Sequence, residues 1–302
     1  MVLEYIIKDN KYSNIKEIAK EHFEMSERLI VKLKNKQLIF KNKIKSYINE
    51  PVKINDIITF DLDYNEENSN IISTKMNLNI LYEDNALLIV DKSPFIAIHP
   101  SIGHFSDSLS NGIKYYFEQK KINKKIRPVN RLDKDTSGIV IFAKNEYVQE
   151  YLIKQMKKDL FKKTYLGIIE GCFEKNSGII NFPISRKNGS IIEREVNKNG
   201  QISITHFKTL KKFNYSTLNN SYKNSNYSLV EFKLETGRTH QIRVHSAYLG
   251  HSLLGDTLYG NSSNYINRQA LHCYKLEFIH PITKENFSIV SNLPKDMQKL
   301  LK

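Results

Sequence analysis

The chain has 302 residues, of which 40% are hydrophobic and 11% aromatic, so we expect one sizeable core with a small extra module and little disorder. There are only two cysteines, Cys172 and Cys273, which argues against a disulfide framework and a cysteine zinc site. The N-terminus has no apolar signal region, and no apolar run approaches the ~18 residues that a membrane span needs. We therefore expect a cytoplasmic protein without a membrane span. The net charge of +14 is typical of polyanion binders, although a lysine-rich proteome would also produce it.

Residues 13–35 are predicted to form two short helices. Ser13 can cap the first and Ser26 the second, because a serine side chain accepts a hydrogen bond from an N–H group exposed at a helix start. Apolar residues recur at helical spacing, so each helix has one face to bury. These residues are Ile15, Ile18, Ala19 and Phe23 in the first helix and Leu29, Ile30 and Leu33 in the second.

Two β-like stretches follow, at 37–48 and 57–62. Between Arg28 and Lys53 there are eight basic residues and one acidic residue, Glu50, so positive charge is concentrated on one helix and its hairpin. Such a run is either a solvated face or a surface that meets RNA.

The helix–helix–hairpin order resembles the alpha-L RNA-binding domain of a small-subunit ribosomal protein and of many RNA-modifying enzymes. The chain differs from that domain in one turn, where residues 53–56 read KIND instead of containing a Gly-Asp pair. Asn55-Asp56 still favours a turn before the second β-like stretch. The resemblance implies a small N-terminal α/β domain that binds RNA, over residues 1–65.

Residues 66–79 are polar and acidic and are predicted to be a linker to a larger domain at 80–302. Strands and helices then alternate irregularly, without a repeat or a βαβ series, which predicts an α+β fold with a mixed, largely antiparallel central sheet flanked by helices. The predicted elements are a hairpin around 83–85, a helix face at Leu109, Ile113, Tyr116 and Phe117, a strand at 138–143, a helix capped by Asn145, further strands at 164–169, 202–210, 229–234 and 271–278, and a polar loop at 214–226.

The strongest local signal is RLDKDTSG at 131–138, where dense polar chemistry precedes a strand of buried type. Taken alone, the segment is compatible with an ordinary turn. It also resembles the Asp-x-Asp-x-Thr motif of Mg²⁺-dependent phosphotransferases. That motif requires a hydrophobic strand before its first Asp, whereas residues 127–132 contain two arginines and a proline.

Arg-Leu-Asp followed by Thr-Ser-Gly is also the signature of the RluA-type pseudouridine synthases, which the chain resembles from about residue 80 to about residue 290. In many members a His precedes Arg-Leu-Asp, whereas this chain has Asn130. The resemblance implies the pseudouridine synthase fold and the isomerisation of uridine in RNA. Further segments agree with the family in the same order: HP at 99–100, KTY at 163–165, LETGRTHQIRVH at 234–245, GD at 255–256 and YG at 259–260.

By resemblance, Asp133 supplies the catalytic carboxylate and Arg243 is its partner, in a bidentate pair that would keep Asp133 ionised and oriented. Tyr165 offers an aromatic face on which uracil can stack and a hydroxyl that could assist proton removal. Ile242 should form an apolar wall of the pocket. Arg131 resembles the residue that enters the RNA helix when the target base is flipped out.

Lys163 and Arg238 belong to the same motifs and are assigned to substrate binding. His240 and His245 lie five residues apart on a predicted helix, and for both we favour structural hydrogen bonds over a metal pair, because a helical pair of ligands prefers a spacing of four. The isomerisation gains and loses no atoms, so no cofactor is expected.

The predicted protein is a monomer without an obligate protein partner, acting on RNA. Large-subunit ribosomal RNA is the preferred substrate, with transfer RNA as an alternative. A catalytically silent RNA-binding or ribosome-assembly factor on the same scaffold is the rival from another class. The sequence leaves open whether Asp133 attacks the sugar or acts by another route.

Overall fold

A computed structural model describes residues 1–215 and 225–302 of the chain. Its strands form a four-stranded sheet near the N-terminus, a nine-stranded sheet in the remainder and a two-stranded ribbon. Helices accompany both large sheets and most strand pairs are antiparallel, so the predicted α+β class is confirmed. In these two ranges no helix has the length and apolar character needed to cross a membrane.

The N-terminal unit places short helices against a small antiparallel sheet, with strand order β1-β4-β2-β3. Its elements are β1 (Val2–Ile6), α1 (Ile15–Glu17) with a π-helical turn (Ile18–His22), α2 (Glu27–Asn35), β2 (Ile39–Lys41), β3 (Ile44–Lys45) and β4 (Ile57–Asp61). The two predicted apolar helix faces are confirmed, since all seven of their residues are buried. Burial of these faces is the main force that holds such short helices in place.

Two details of this unit differ from the prediction. Ser26 does cap α2, but the first helix is capped by Asn14, because the Ser13 side chain bonds to the Glu17 carboxylate instead. Strand β1 was missed altogether. Leu3 is its only buried residue, so the strand has little apolar alternation and is defined by backbone pairing with β4.

The larger unit follows from residue 79. Its elements are β5 (Asn79–Glu83), β6 (Leu87–Lys92), α3 (Leu109–Gln119), β7 (Ser137–Ala143), α4 (Glu146–Lys157), β8 (Lys162–Glu170), β9 (Ser177–Asn181), β10 (Ile184–Arg186), β11 (Arg194–Val196), β12 (Ile204–Tyr215), β13 (Ser225–Leu234), α5 (Gln241–Tyr248), β14 (Leu271–Ile279), β15 (Asn286–Val290) and α6 (Lys295–Lys299). The predicted hairpin, helices and main strands are all present. Asn145 caps α4 as predicted.

The central sheet has the order β5-β6-β7-β14-β8-β13-β12-β9, and β15 extends it beside β14. Strand pairs are antiparallel except for β7 and β14, which run parallel at the middle of the sheet. Every residue of β7 is buried, as expected for a central strand covered on both faces. The segment 131–138 therefore enters the sheet at its centre.

The polar loop predicted at 214–226 is shorter than expected. Strand β12 reaches Tyr215 and β13 begins at Ser225, and these two residues are paired. The ladder continues because backbone hydrogen bonds do not depend on the apolar pattern used for the prediction. The rest of the predicted loop, 216–224, lies outside the described residues.

Hydrogen bonds and ion pairs connect the N-terminal unit to the larger one. Ser26 Oγ donates to Glu150 on α4 at 2.7 Å. Lys32 binds both Glu66 and Glu146, at 3.0 and 2.9 Å, and Arg127 reaches Glu66 at 2.6 Å. Residue 66, the first of the predicted linker, is thus part of the junction between the two units.

Candidate active site

The loop that carries Asp133 meets the sheet at Gly138. This glycine has a φ of +113°, and a Cβ atom added to it would lie 2.4 Å from the carbonyl oxygen of Cys273. No side chain fits at that distance, so glycine is required for β7 to run beside β14. The glycine of the Thr-Ser-Gly motif therefore fixes the end of the loop.

Two buried basic side chains hold the backbone of the same loop. Lys92 Nζ donates to the carbonyl oxygen of Lys134 at 2.8 Å, and Arg268 Nη1 donates to that of Asp135 at 3.1 Å. Burial lowers the pKa of Lys92 to about 7, against the nearby charges of Asp135 and Asp133, which act to raise it. Asp133 is consequently presented by a loop that is bonded to the core on both sides.

Arg243, on α5, links two carboxylates. Its Nη1 lies 3.1 Å from Asp133 Oδ2, while Nε and Nη2 lie 2.7 and 2.8 Å from the two oxygens of Asp256. The predicted pair between Arg243 and Asp133 is confirmed, but the prediction that it is bidentate is wrong. The Nε edge of the guanidinium faces Asp256, which leaves a single nitrogen for Asp133.

The electrostatics of this triad follow from its burial. The Asp256 side chain has no exposed surface and that of Arg243 is 8% exposed, whereas that of Asp133 is 27% exposed. Burial lowers the pKa of Arg243, but the hydrogen bonds and charge of Asp256, with the charge of Asp133, raise it above its usual value on balance. Asp133 is therefore the member of the triad that a substrate can reach.

Tyr165 and Ile242 provide the apolar sides of a small cavity, about 60 Å³, at Asp133. Tyr165 lies on β8 and pairs with Cys273 of the neighbouring strand β14. Burial, the thiol and the charge of Asp133 all raise the pKa of Tyr165 well above its usual value. Its hydroxyl is thus protonated at neutral pH.

Most residues assigned from the sequence converge on this cavity. Its lining includes Arg131, Asp133, Tyr165, Arg238, Ile242 and Arg243. Lys163 is not part of this lining; it lines a neighbouring cavity of about 600 Å³ on the other side of Leu234. Arg131 and Arg238 are both exposed at the mouth, where a substrate would first meet the protein.

Sequence reasoning missed that His240 lies beside Asp133 and that Tyr259 contacts both His240 and Arg243. His240 Nε2 lies 3.8 Å from Asp133 Oδ2, and Nδ1 shares a 2.8 Å hydrogen bond with the Tyr259 hydroxyl. The Arg243 guanidinium also lies over the Tyr259 ring, with its Cζ atom 5.1 Å from the centroid of that ring. Burial lowers the pKa of His240. The negative charge of Asp133 opposes this shift and the positive charge of Arg243 adds to it, so His240 is neutral near pH 7.

His240 and Tyr259 both belong to motifs that the sequence analysis identified, but the motifs did not indicate where their side chains lie. His240 was placed on a helix, whereas it precedes α5 in a left-handed conformation with φ of +59°. That conformation turns the residue away from the helical path. Both histidines make the structural hydrogen bonds predicted for them: His240 with the Tyr259 hydroxyl, and His245 with Thr205 and the carbonyl of Phe182.

Asn130 directly precedes the Arg-Leu-Asp segment. Its side chain donates to the carbonyl of Ile139 and accepts from the N–H of Ile141, each at 2.9 Å. The Asn130 amide group thus makes with Ile139 and Ile141 of β7 the hydrogen bonds that a neighbouring strand would otherwise make. Across the described ranges, no three His, Cys, Asp or Glu side chains are grouped so that they could hold a metal ion.

Comparisons with known proteins agree with one another. The family model described as RNA pseudouridylate synthase matches residues 86–248. The uncharacterized RNA pseudouridine synthase YhcT of Bacillus subtilis is 38% identical over 82% of this chain and 79% of its own length. Ribosomal large subunit pseudouridine synthase D of Blochmanniella floridana is 32% identical over 88% of this chain and 86% of its own. Among solved structures, human RNA pseudouridylate synthase domain containing 1 is similar, with a TM-score of 0.58 and 26% identity over 72% of this chain and 83% of that one.

Proposed function

This chain belongs to the RNA pseudouridylate synthase family, and we propose that it modifies uridines of large-subunit ribosomal RNA with Asp133 as the catalytic carboxylate. Family membership establishes the activity itself. The chain is an RNA pseudouridine synthase, an isomerase that converts uridine to pseudouridine. The substrate RNA and the residue roles are the proposed part.

The reaction breaks the bond between N1 of uracil and C1′ of ribose and forms one between C5 and C1′. C5 loses its proton to solvent and N1 gains one, so atoms and charge balance without another reagent. In this proposal Asp133 takes part in breaking the bond, Tyr165 stacks on the freed base and Ile242 closes the apolar side. The observation that carries the assignment is the 3.1 Å contact between Asp133 and Arg243 at the cavity that Tyr165 and Ile242 line.

Two observations support ribosomal RNA as the substrate. The relative from Blochmanniella floridana, named for the large ribosomal subunit, aligns over nearly the whole of both chains. A second relative of the same name, from Buchnera aphidicola of Schizaphis graminum, is 37% identical over 74% of this chain and 72% of its own. We therefore prefer ribosomal RNA to transfer RNA.

We assign RNA binding to residues 1–65, followed by the segment 66–79 and the catalytic domain at 80–302. Most basic residues of the N-terminal run are exposed, and the exposed Tyr47 beside them offers a ring for stacking. The exposed basic residues are Arg28, Lys34, Lys36, Lys43, Lys45 and Lys53. RNA affinity should fall steeply with salt, as phosphate contacts release counterions. We further propose a cytoplasmic monomer, because ribosomal RNA is reached there and both units lie in one chain.

The test uses RNA labelled with tritium at C5 of uridine, since formation of the C5–C1′ bond releases that label. The full-length protein is incubated in EDTA with unmodified transcripts of large-subunit ribosomal RNA or with transfer RNA. We expect release from the ribosomal transcript. Release from transfer RNA alone would refute the assigned substrate, and release from neither would refute the activity.

A further inference from the structure

Seven of the eight arginines of this chain fall into two groups, and Arg28 belongs to neither. Of 46 basic residues only eight are arginines, and the three buried ones each pair with a carboxylate. These pairs are Arg127 with Glu66, Arg243 with Asp256 and Arg268 with Asp296. Four others line one cavity of about 450 Å³, and none of them pairs with a carboxylate within the described ranges; they are Arg131, Arg186, Arg194 and Arg238.

The four-arginine cavity, defined by these four residues, brings like charges together. Arg186 and Arg194 are direct partners across the β10–β11 ribbon, so their side chains leave the same face. Like charges directly opposite on a ribbon are destabilising. The lining contains no Asp or Glu, and its other residues are polar, glycine or Ile184. This arrangement suits the binding of an anion.

The cavity adjoins the candidate active site. Arg131 and Arg238 line both this cavity and the one at Asp133. The ribbon is also connected to Asp133, because the backbone N–H of Arg194 donates to the Tyr259 hydroxyl, which is bonded to His240. An anion held here would lie beside a base held at Asp133.

We infer that the four-arginine cavity binds a backbone phosphate next to the target uridine. The inference rests on the proposed function, since it names how the same site holds its RNA. A guanidinium matches a phosphate with two parallel hydrogen bonds, whereas an ammonium acts as a point charge. In a chain that uses lysine almost everywhere, a cavity lined by four arginines and no lysine indicates that this planar recognition is needed.

The first test removes the ribbon arginines. The variant Arg186→Gln/Arg194→Gln is compared with Lys125→Gln/Lys175→Gln, which removes the same charge from exposed residues that do not line the cavity. The dissociation constant for the large-subunit ribosomal transcript is measured from about 50 to about 200 mM KCl. We expect the arginine variant to bind at least about tenfold more weakly and its salt slope to fall by about one, with the control close to the wild type.

A second variant, Arg186→Lys/Arg194→Lys, keeps the charge and removes the planar fork. We expect it to retain the wild-type salt slope while binding more weakly than the wild type. Equal binding by both arginine variants and the lysine control, with thermal unfolding unchanged, would overturn the phosphate site. If the wild type binds in the expected way but releases no tritium, the proposed function fails and the phosphate site stands.

Discussion

Arg243 binds Asp256 through two parallel hydrogen bonds, of 2.7 and 2.8 Å, and only its remaining nitrogen meets Asp133. Because Asp256 is completely buried, the guanidinium is oriented by the protein before RNA arrives. Asp133 lies on a loop whose backbone is hydrogen-bonded to Lys92 and Arg268, and it contacts a guanidinium whose orientation is fixed. The relation explains how a partly exposed carboxylate can be held in one orientation.

Replacement of Arg243 should separate catalysis from RNA binding. In Arg243→Lys an ammonium cannot bond to both carboxylates in the same plane, so we expect turnover to fall by at least about a hundredfold while RNA affinity stays near that of the wild type. Single-turnover tritium release and RNA binding measure the two effects. Arg243→Ala should also abolish turnover, but it leaves the buried carboxylate of Asp256 without a cationic partner and should cost about 3–5 kcal/mol of stability. Wild-type turnover in either variant would show that the ion pair has no role.

Asp256 should act as a positioning residue. In Asp256→Asn the amide keeps the shape of the side chain but loses the charge, so Arg243 is held less firmly and can shift toward Asp133. We expect the single-turnover rate to fall between about tenfold and about a hundredfold, with the dissociation constant for RNA unchanged. Asp256→Glu should recover part of the rate. An equal loss of rate and of RNA affinity would indicate a general disruption instead.

Gly138 should tolerate no side chain. Gly138→Ala combines a positive φ with a Cβ placed against the backbone of Cys273, and we expect it to lower the free energy of unfolding by about 3 kcal/mol. Urea unfolding followed by circular dichroism measures the change. Gly189→Ala is a suitable control, because its φ is also positive but nothing lies near the added Cβ. Equal losses in the two variants would show that the close approach of β7 to β14 is not the cause.

The free energy of unfolding should decrease as the solution is acidified from about pH 7 to about pH 5.5. Burial lowers the pKa values of His240, His245 and His272 in the folded protein. In the unfolded chain the pKa of histidine is about 6.5. The unfolded chain therefore binds more protons than the folded one below that pH, and the free energy of unfolding falls as the pH decreases through this range. Urea unfolding across this window tests the sign. In His245→Gln the decrease should be shallower; a stability that is flat or rises toward acid contradicts the assignment.

The sequence predicted those parts of the molecule that depend on local pattern. Helix α2 was found from Ser26 and its apolar spacing, and β7 from an uninterrupted apolar run. The pairing of Asp133 with Arg243 spans more than one hundred residues and came from motifs, not from periodicity. Strand β1 was missed because a single buried residue leaves no alternation to detect.

Geometry inside the site was less accessible to sequence reasoning. Which edge of Arg243 meets which carboxylate depends on the rotation of one side chain, so Asp256 was read as part of a motif without a role. His240 was placed on a helix because its left-handed backbone leaves no mark in the sequence. The four-arginine cavity gathers residues from three separate segments, and a two-stranded ribbon that was not predicted supplies two of them.

The most direct test of the account is single-turnover tritium release by Asp133→Asn. This change keeps the size of the side chain and removes its charge, so the fold and the RNA contacts should persist. We predict release at the level seen without enzyme, RNA affinity like that of the wild type, and an unchanged unfolding temperature. Release at the wild-type rate from the same ribosomal transcript would contradict the central claim that the Asp133 carboxylate performs the isomerisation.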